Sequence, residues 1–163
     1  MIRVQAASYQ AISILHGGPN TQLRKTMEFM RDCGVESKLF DPWNQFKQND
    51  CDIFHLFAAN IGTYHLANEI RILGVPLVTS PIFYRLRSPS LLRAALQGTR
   101  LVQGVYKAFW SDVAVTADIC EWSAHVVPNS RAEADIVSKS LNIRESKMTV
   151  VPNGVDERFL NAD

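Results

Sequence analysis

The chain has 163 residues, with 17 Lys plus Arg against 16 Asp plus Glu and an apolar fraction of 47%. That balance excludes a disordered tail, which needs low hydrophobicity and high net charge, and it gives no global pull toward nucleic acid. Eight Gly and seven Pro fall without period, which excludes collagen, and no run reaches the ~20 apolar residues of a membrane-spanning helix. Three cysteines, Cys33, Cys51 and Cys120, stand far apart without a Cys-x-x-Cys. This fits neither a disulfide framework nor a zinc site; the expectation is a cytoplasmic protein with buried thiols. Met1 to Val4 opens directly into a strand-like run, with no basic and apolar leader visible.

Taken in order, residues 2–7 read as a strand and lead to a loop holding Gly17, Gly18 and Asn20. A helix follows from Asn20 or Thr21 to about Cys33, with Leu23, Met27 and Met30 on one face. Gly34 suits the left-handed position past a helix end, and residues 35–40 form the second strand. The unit then repeats: a buried strand over 52–58, a helix over 63–73, Gly74 as its cap, and a strand over 75–79. Ser88 opens a long helical region reaching about Phe109. Residues 112–117 fit strand or helix equally. A short strand over 124–127 precedes Ser130-Arg131-Ala132-Glu133, the pattern of a capping box, and a helix to Leu141. A last strand is expected over 148–151.

Strands alternating with helices predict a Rossmann-like three-layer α/β/α domain with a mostly parallel sheet. Ligands bind such sheets outside the carboxyl ends of the strands. The positions that follow are Gly17, Gly18 and Asn20, then residues 58–62, 80–84, 128–131 and 152–156. Two glycines before a helix let a bulky anionic ligand approach the N–H groups and the dipole; a plain tight turn is the alternative. Gly-x-Gly-x-x-Gly, the phosphate loop and Gly-x-Ser-x-Gly are all absent. Of the four histidines, none pairs at metal-ligand spacing. His55 sits inside a strand and reads as a hydrogen-bonded core residue, whereas His16 abuts the glycine pair and His65 opens a helix. No acidic residue occurs between Glu69 and Asp112, a stretch that carries Arg71, Arg85, Arg87, Arg93, Arg100 and Lys107. It reads either as a solvated face or as a surface for anionic partners.

The most specific segment is Val126-Val127-Pro128-Asn129-Ser130, a helix, then Lys147-Met148-Thr149-Val150-Val151-Pro152-Asn153-Gly154-Val155-Asp156 with Phe159 beyond it. It resembles family-4 glycosyltransferases of the GT-B fold, strongly from Ala124 to Phe159 and loosely before about residue 120. Gly74-Val75-Pro76-Leu77-Val78-Thr79 looks like another strand of that family. The resemblance implies an acceptor-side domain over residues 1–152, the start of an interdomain linker over 153–163, and a nucleotide-sugar domain outside this chain. It implies transfer of a sugar from a nucleotide-sugar to an acceptor hydroxyl of a glycan or lipid-linked acceptor, with these 163 residues inactive alone. No cofactor, metal or nucleic acid is implied, the nucleotide-sugar being a co-substrate.

On that resemblance Gly17, Gly18 and Asn20 lie toward the donor. His16, His65, Ser80 and Tyr84 lie on the acceptor side, and Asn129, Ser130, Arg131, Asn153 and Gly154 line the interdomain cleft; the two asparagines also fit plain turns. No catalytic residue is assigned, because the histidine that many relatives place after the fourth strand is replaced here by Ser80-Pro81-Ile82-Phe83-Tyr84. The stretch from Arg71 to Lys107 then suits an anionic surface on the inner face of a membrane. The rival reading is a stand-alone Rossmann-like module that binds a nucleotide or sugar without catalysis.

Overall fold

A computed structural model describes residues 1–14, 17–84, 88–106 and 109–154. Along them run β1 (Arg3–Ala7), α1 (Gly18–Asp32), β2 (Glu36–Leu39), β3 (Ile53–Phe57), α2 (Ile61–Ile72), β4 (Leu77–Ser80), α3 (Pro89–Val105), α4 (Asp112–Trp122), β5 (His125–Val126) and α5 (Arg131–Leu141). The strands form one sheet in the order β2-β1-β3-β4-β5, parallel throughout. The Rossmann-like α/β reading therefore holds.

Side chains alternate across a strand, and β3 shows the consequence. Phe54 and Leu56, fully buried, join the main core with Ile70, Leu77, Val126 and Val137. Phe57 turns to the opposite face, where Ala6 meets Leu23 and Met27 of α1. Gly34 and Gly74 both hold φ +75 just past a helix end, the conformation in which glycine carries no Cβ penalty.

The boundaries differ from the sequence expectation where chemistry near the helix ends intervenes. α1 starts at Gly18, before Asn20, because Pro19 suits the first turn, where a missing N–H costs nothing. α2 starts at Ile61, before Thr63, because the Asn60 side chain caps it by accepting from Gly62 N–H at 2.9 Å. Residues 112–117 belong to α4, whose cap is the Ser111 hydroxyl, accepting from Ala114 N–H at 3.2 Å. α3 ends at Val105, short of Phe109, as Tyr106 turns to extended backbone at φ −119.

The expected strand over 148–151 is a single parallel bridge, Val126 to Met148. Thr149 N–H donates to Val126 C=O at 3.1 Å and Val151 N–H to Pro128 C=O at 2.9 Å. The return bond from residue 128 is impossible, since Pro128 has no N–H. The cysteines also divide: Cys51 and Cys120 are buried as expected, but Cys33 is exposed at the end of α1. Burial is the main cause that pushes the Cys120 thiol up to about 12, which keeps it an inert core group.

One glycine is required by packing. A Cβ at Gly62 would lie 2.9 Å from Tyr9 Cβ and 3.2 Å from Asn60 Oδ1. Gly62→Ala is therefore expected to destabilise the chain by about 1 kcal/mol, the overpacking outweighing alanine's better helix propensity. Urea unfolding of the two proteins side by side checks the sign.

Candidate functional site

A wholly parallel sheet puts every strand's carboxyl end on one edge, so the loops after β1, β3, β4 and β5 share that edge. The order reverses between β1 and β3, which opens the crevice characteristic of this architecture. There the two loops are tied together. Ser8 Oγ donates to Phe57 C=O at 2.6 Å, and Tyr9 rests against Gly62.

The loop after β1 ends in Gly17 and Gly18. Gly17 is extended at φ −166, which any residue adopts, and caps the 15-residue α1. A Cβ on Gly17 would meet only Pro19 Cδ at 3.9 Å, and one on Gly18 would meet nothing within 4 Å. Neither glycine is demanded by conformation or internal packing. What the pair provides is bare backbone at a helix N-terminus on the carboxyl edge. Asn20 is committed locally, donating to Ile12 C=O at 3.0 Å and accepting from Arg24 Nε at 2.9 Å. His16 lies outside the described residues.

After β3, Ala58 takes φ 71, and after β4 Ile82 takes φ 52. Left-handed backbone is costly for alanine and more so for a β-branched residue, and such strain persists only where the surroundings over-determine it. At Ala58 the surroundings are Ala58 N–H donating to Ser80 C=O and Thr63 Oγ1 donating to Ala58 C=O, at 2.9 and 2.8 Å. At Ile82 they are the Glu133 carboxylate. Phe83 N–H donates to Oε1 at 2.7 Å, Asn129 N–H donates to Oε2 at 2.8 Å, and the Ile82 backbone bonds to the same group. Glu133 is 1% exposed, and burial raises its pKa against the lowering effect of those backbone bonds. One carboxylate thus holds the β4 loop against the β5–α5 turn.

Sequence reasoning saw Glu133 only as half of a capping box. The Ser130 half forms, its hydroxyl accepting from Glu133 N–H at 3.1 Å. The reciprocal half does not: the carboxylate reaches Asn129 and Phe83 in place of the Ser130 N–H. Only a three-dimensional neighbour could have revealed this, because residue 83 is 50 positions away.

The other expected residues sort by exposure. Ser80 is buried, and its hydroxyl shares a 3.0 Å hydrogen bond with His55 Nε2. His55 stacks on Phe57 with centroids 4.1 Å apart, and burial drops its pKa to about 4. Tyr84 is exposed at the end of the same loop. His65 lies exposed on the first turns of α2 beside Trp110, ring centroids 6.4 Å apart. Asn129 and Ser130 are half-buried at the α5 N-terminus. Arg131 is exposed, reaches Asp135 at 3.8 Å, and with Met148 lines a shallow depression beside α5. Asn153 and Gly154 are exposed. Among the described residues no cluster of three or more His, Cys, Asp or Glu is arranged to hold a metal ion.

A model of the family described as glycosyltransferase family 4 matches residues 37–159. The chain belongs to that family. The match takes in β3, β4 and β5 with their loops, and it begins after the glycine pair. No curated protein matches the chain. For this family-4 glycosyltransferase domain, a glycosyltransferase-type function follows from membership, and the parallel sheet is consistent with one half of a GT-B enzyme.

The basic stretch of the domain is partly consumed within it. Arg71 stacks over Trp122 at 4.8 Å and donates to Asn68 Oδ1 at 3.0 Å, and Arg100 is ion-paired with Asp118. Arg93 is exposed, while Arg85, Arg87 and Lys107 lie outside the described residues. Among the described residues no helix is long and apolar enough to cross a membrane.

Proposed function

We propose that these residues form the acceptor side of an enzyme that moves a sugar from a nucleotide-sugar to an acceptor hydroxyl on a glycan or lipid-linked acceptor. The carrying observation is membership of glycosyltransferase family 4 over residues 37–159. The loops gathered at the carboxyl edge support it. In this reading a second domain holds most of the nucleotide, and closure over the edge excludes water that would hydrolyse the donor. The bare backbone at Gly17 and Gly18 faces the donor, where a departing diphosphate needs N–H groups and dipoles. Asn129, Ser130 and Asn153 line the cleft, with Tyr84 and His65 toward the acceptor.

Calorimetric titration of the chain with uridine and guanosine diphosphates tests the division of labour. The acceptor-side reading expects a Kd of about 1 mM or weaker. Tight, specific binding would favour the stand-alone module instead. Within the complete enzyme, Gly18→Val is expected to lower transfer about a hundredfold by displacing the donor while leaving the urea midpoint unchanged, since its added Cβ meets nothing. Undiminished transfer would reduce the glycine pair to a turn.

A further inference from the structure

The chain has three tryptophans, and the fold treats them differently. Trp43 stands 93% exposed in the loop after β2, and among the described residues no aromatic ring packs on it. Trp122 is half-buried at the end of α4, with the Arg71 guanidinium over its ring. Trp110 is 43% exposed and yet held in place. The Tyr64 ring stands perpendicular to it, centroids 4.7 Å apart. Tyr64 is itself fixed by Trp122, centroids 5.0 Å apart, and by its hydroxyl, which donates to Asp118 Oδ2 at 3.2 Å. Asp118 is buried and ion-paired with Arg100. The backbone on either side of Trp110 is tied too. Gln103 Nε2 donates to Phe109 C=O at 2.9 Å, and Ser111 shares a 3.0 Å hydrogen bond with the Thr99 hydroxyl.

This held ring lies at the carboxyl edge of the sheet. Ser111 caps α4 there, and five residues on Thr116 Oγ1 donates to Ala59 C=O, in the loop after β3, at 2.8 Å. His65 stands beside it, its ring centroid 6.4 Å from that of Trp110 and its plane tilted by 49°. A fixed aromatic plane left partly bare at a ligand-binding edge suits a sugar ring. One face of a pyranose presents C–H groups that pack on aromatic carbon, while its hydroxyls seek hydrogen-bonding groups at the rim. An imidazole is such a group, since it can both donate and accept. Because Tyr64 and Asp118 set the Trp110 ring in advance, binding would order little that is not ordered already. The cations of the cluster are engaged within it, Arg100 by Asp118 and Arg71 by Trp122 and Asn68, so the site favours a neutral ligand over an anion.

We propose that Trp110, with His65 beside it, is the platform on which a pyranose ring of the acceptor stacks. The proposal rests on the sugar-transfer reading above for its purpose, but its test reads binding to this chain and not transfer, so the two can fail separately. The indole N–H signals of Trp43, Trp110 and Trp122 are followed by NMR while methyl glycosides of glucose, galactose, mannose and N-acetylglucosamine are added in turn. At least one glycoside is expected to move the Trp110 signal saturably, with a Kd of about 10 mM, and to leave the other two in place. Trp43 is the control, because indiscriminate contact with bare rings would favour the most exposed one. Trp110→Ala, read on the backbone amides of Tyr64 and Ser111, is expected to weaken binding about tenfold. His65→Ala is expected to weaken it about fivefold, and as a change at an exposed position it serves if the first variant fails to fold. No saturable shift at Trp110 with any glycoside, or shifts of Trp43 and Trp110 in parallel, overturns the proposal. So does a Trp110 response to uridine alone, which would make the ring a stacking site for the donor's base.

Discussion

Glu133→Ala is expected to lower the unfolding free energy by about 4 kcal/mol, because the deletion strands several backbone N–H groups in a dry site. Phe83 and Asn129 donate to its two oxygens at 2.7 and 2.8 Å, Ile82 bonds to the same carboxylate, and the residue is 1% exposed. Losing those bonds also removes what holds Ile82 at φ 52. Glu133→Gln keeps the shape and one acceptor oxygen, so its loss should be about half as large. Urea unfolding followed by circular dichroism gives both values. A loss below about 1 kcal/mol in the alanine variant would mean that water takes over the carboxylate's bonds. Hydrogen exchange localises the effect: the Phe83 and Asn129 amides should lose protection in Glu133→Gln while Leu56 in β3 keeps it.

Acid should weaken the fold through His55. Its folded pKa is about 4 against an ordinary 6.5, and burial is the cause. Between those values the unfolded chain binds a proton that the native chain refuses. Stability from this group is therefore complete above pH 6.5 and is lost as the pH falls toward 4, about 3 kcal/mol in all. Glu133 works in the opposite direction. Its raised pKa lets the folded chain take up a proton before the unfolded one does, so its share grows as the pH falls through the folded value. The two are separated by comparing wild type with His55→Gln across that range. The variant's curve should be flatter by about 3 kcal/mol. Parallel curves would show that the imidazole is protonated in the native state, with Ser80 rearranged around it.

The architecture was legible because its signals are local. Gly34 and Gly74 each follow an amphipathic helix and precede a β-branched run, and both take φ +75. His55 could be read as a core residue from Ile53, Phe54 and Leu56 around it. Helix starts were missed by a few residues where a cap competed with periodicity, as at Asn60. The carboxyl edge itself could be deduced from strand–helix alternation, which is why the expected loops share it. The interior of the site could not. Ser80 offers a hydroxyl to solvent on paper and gives it to His55 in the fold. Glu133 reads as a helix cap and ties two loops. Arg71 and Arg100 count toward a charged surface until Trp122 and Asp118 occupy them. In each case the deciding partner is distant in sequence, and side-chain chemistry alone does not name it.

The position of α3 carries one more consequence. The helix supplies Leu92 and Leu96 to the core but aligns no strand, since β4 and β5 pair with each other directly. Residues exchanged at its exposed positions, such as Leu101 and Val105, would leave every hydrogen bond of the sheet in place. The exposed positions between Pro89 and Tyr106 are therefore where this domain accepts sequence change at the least cost to its sheet.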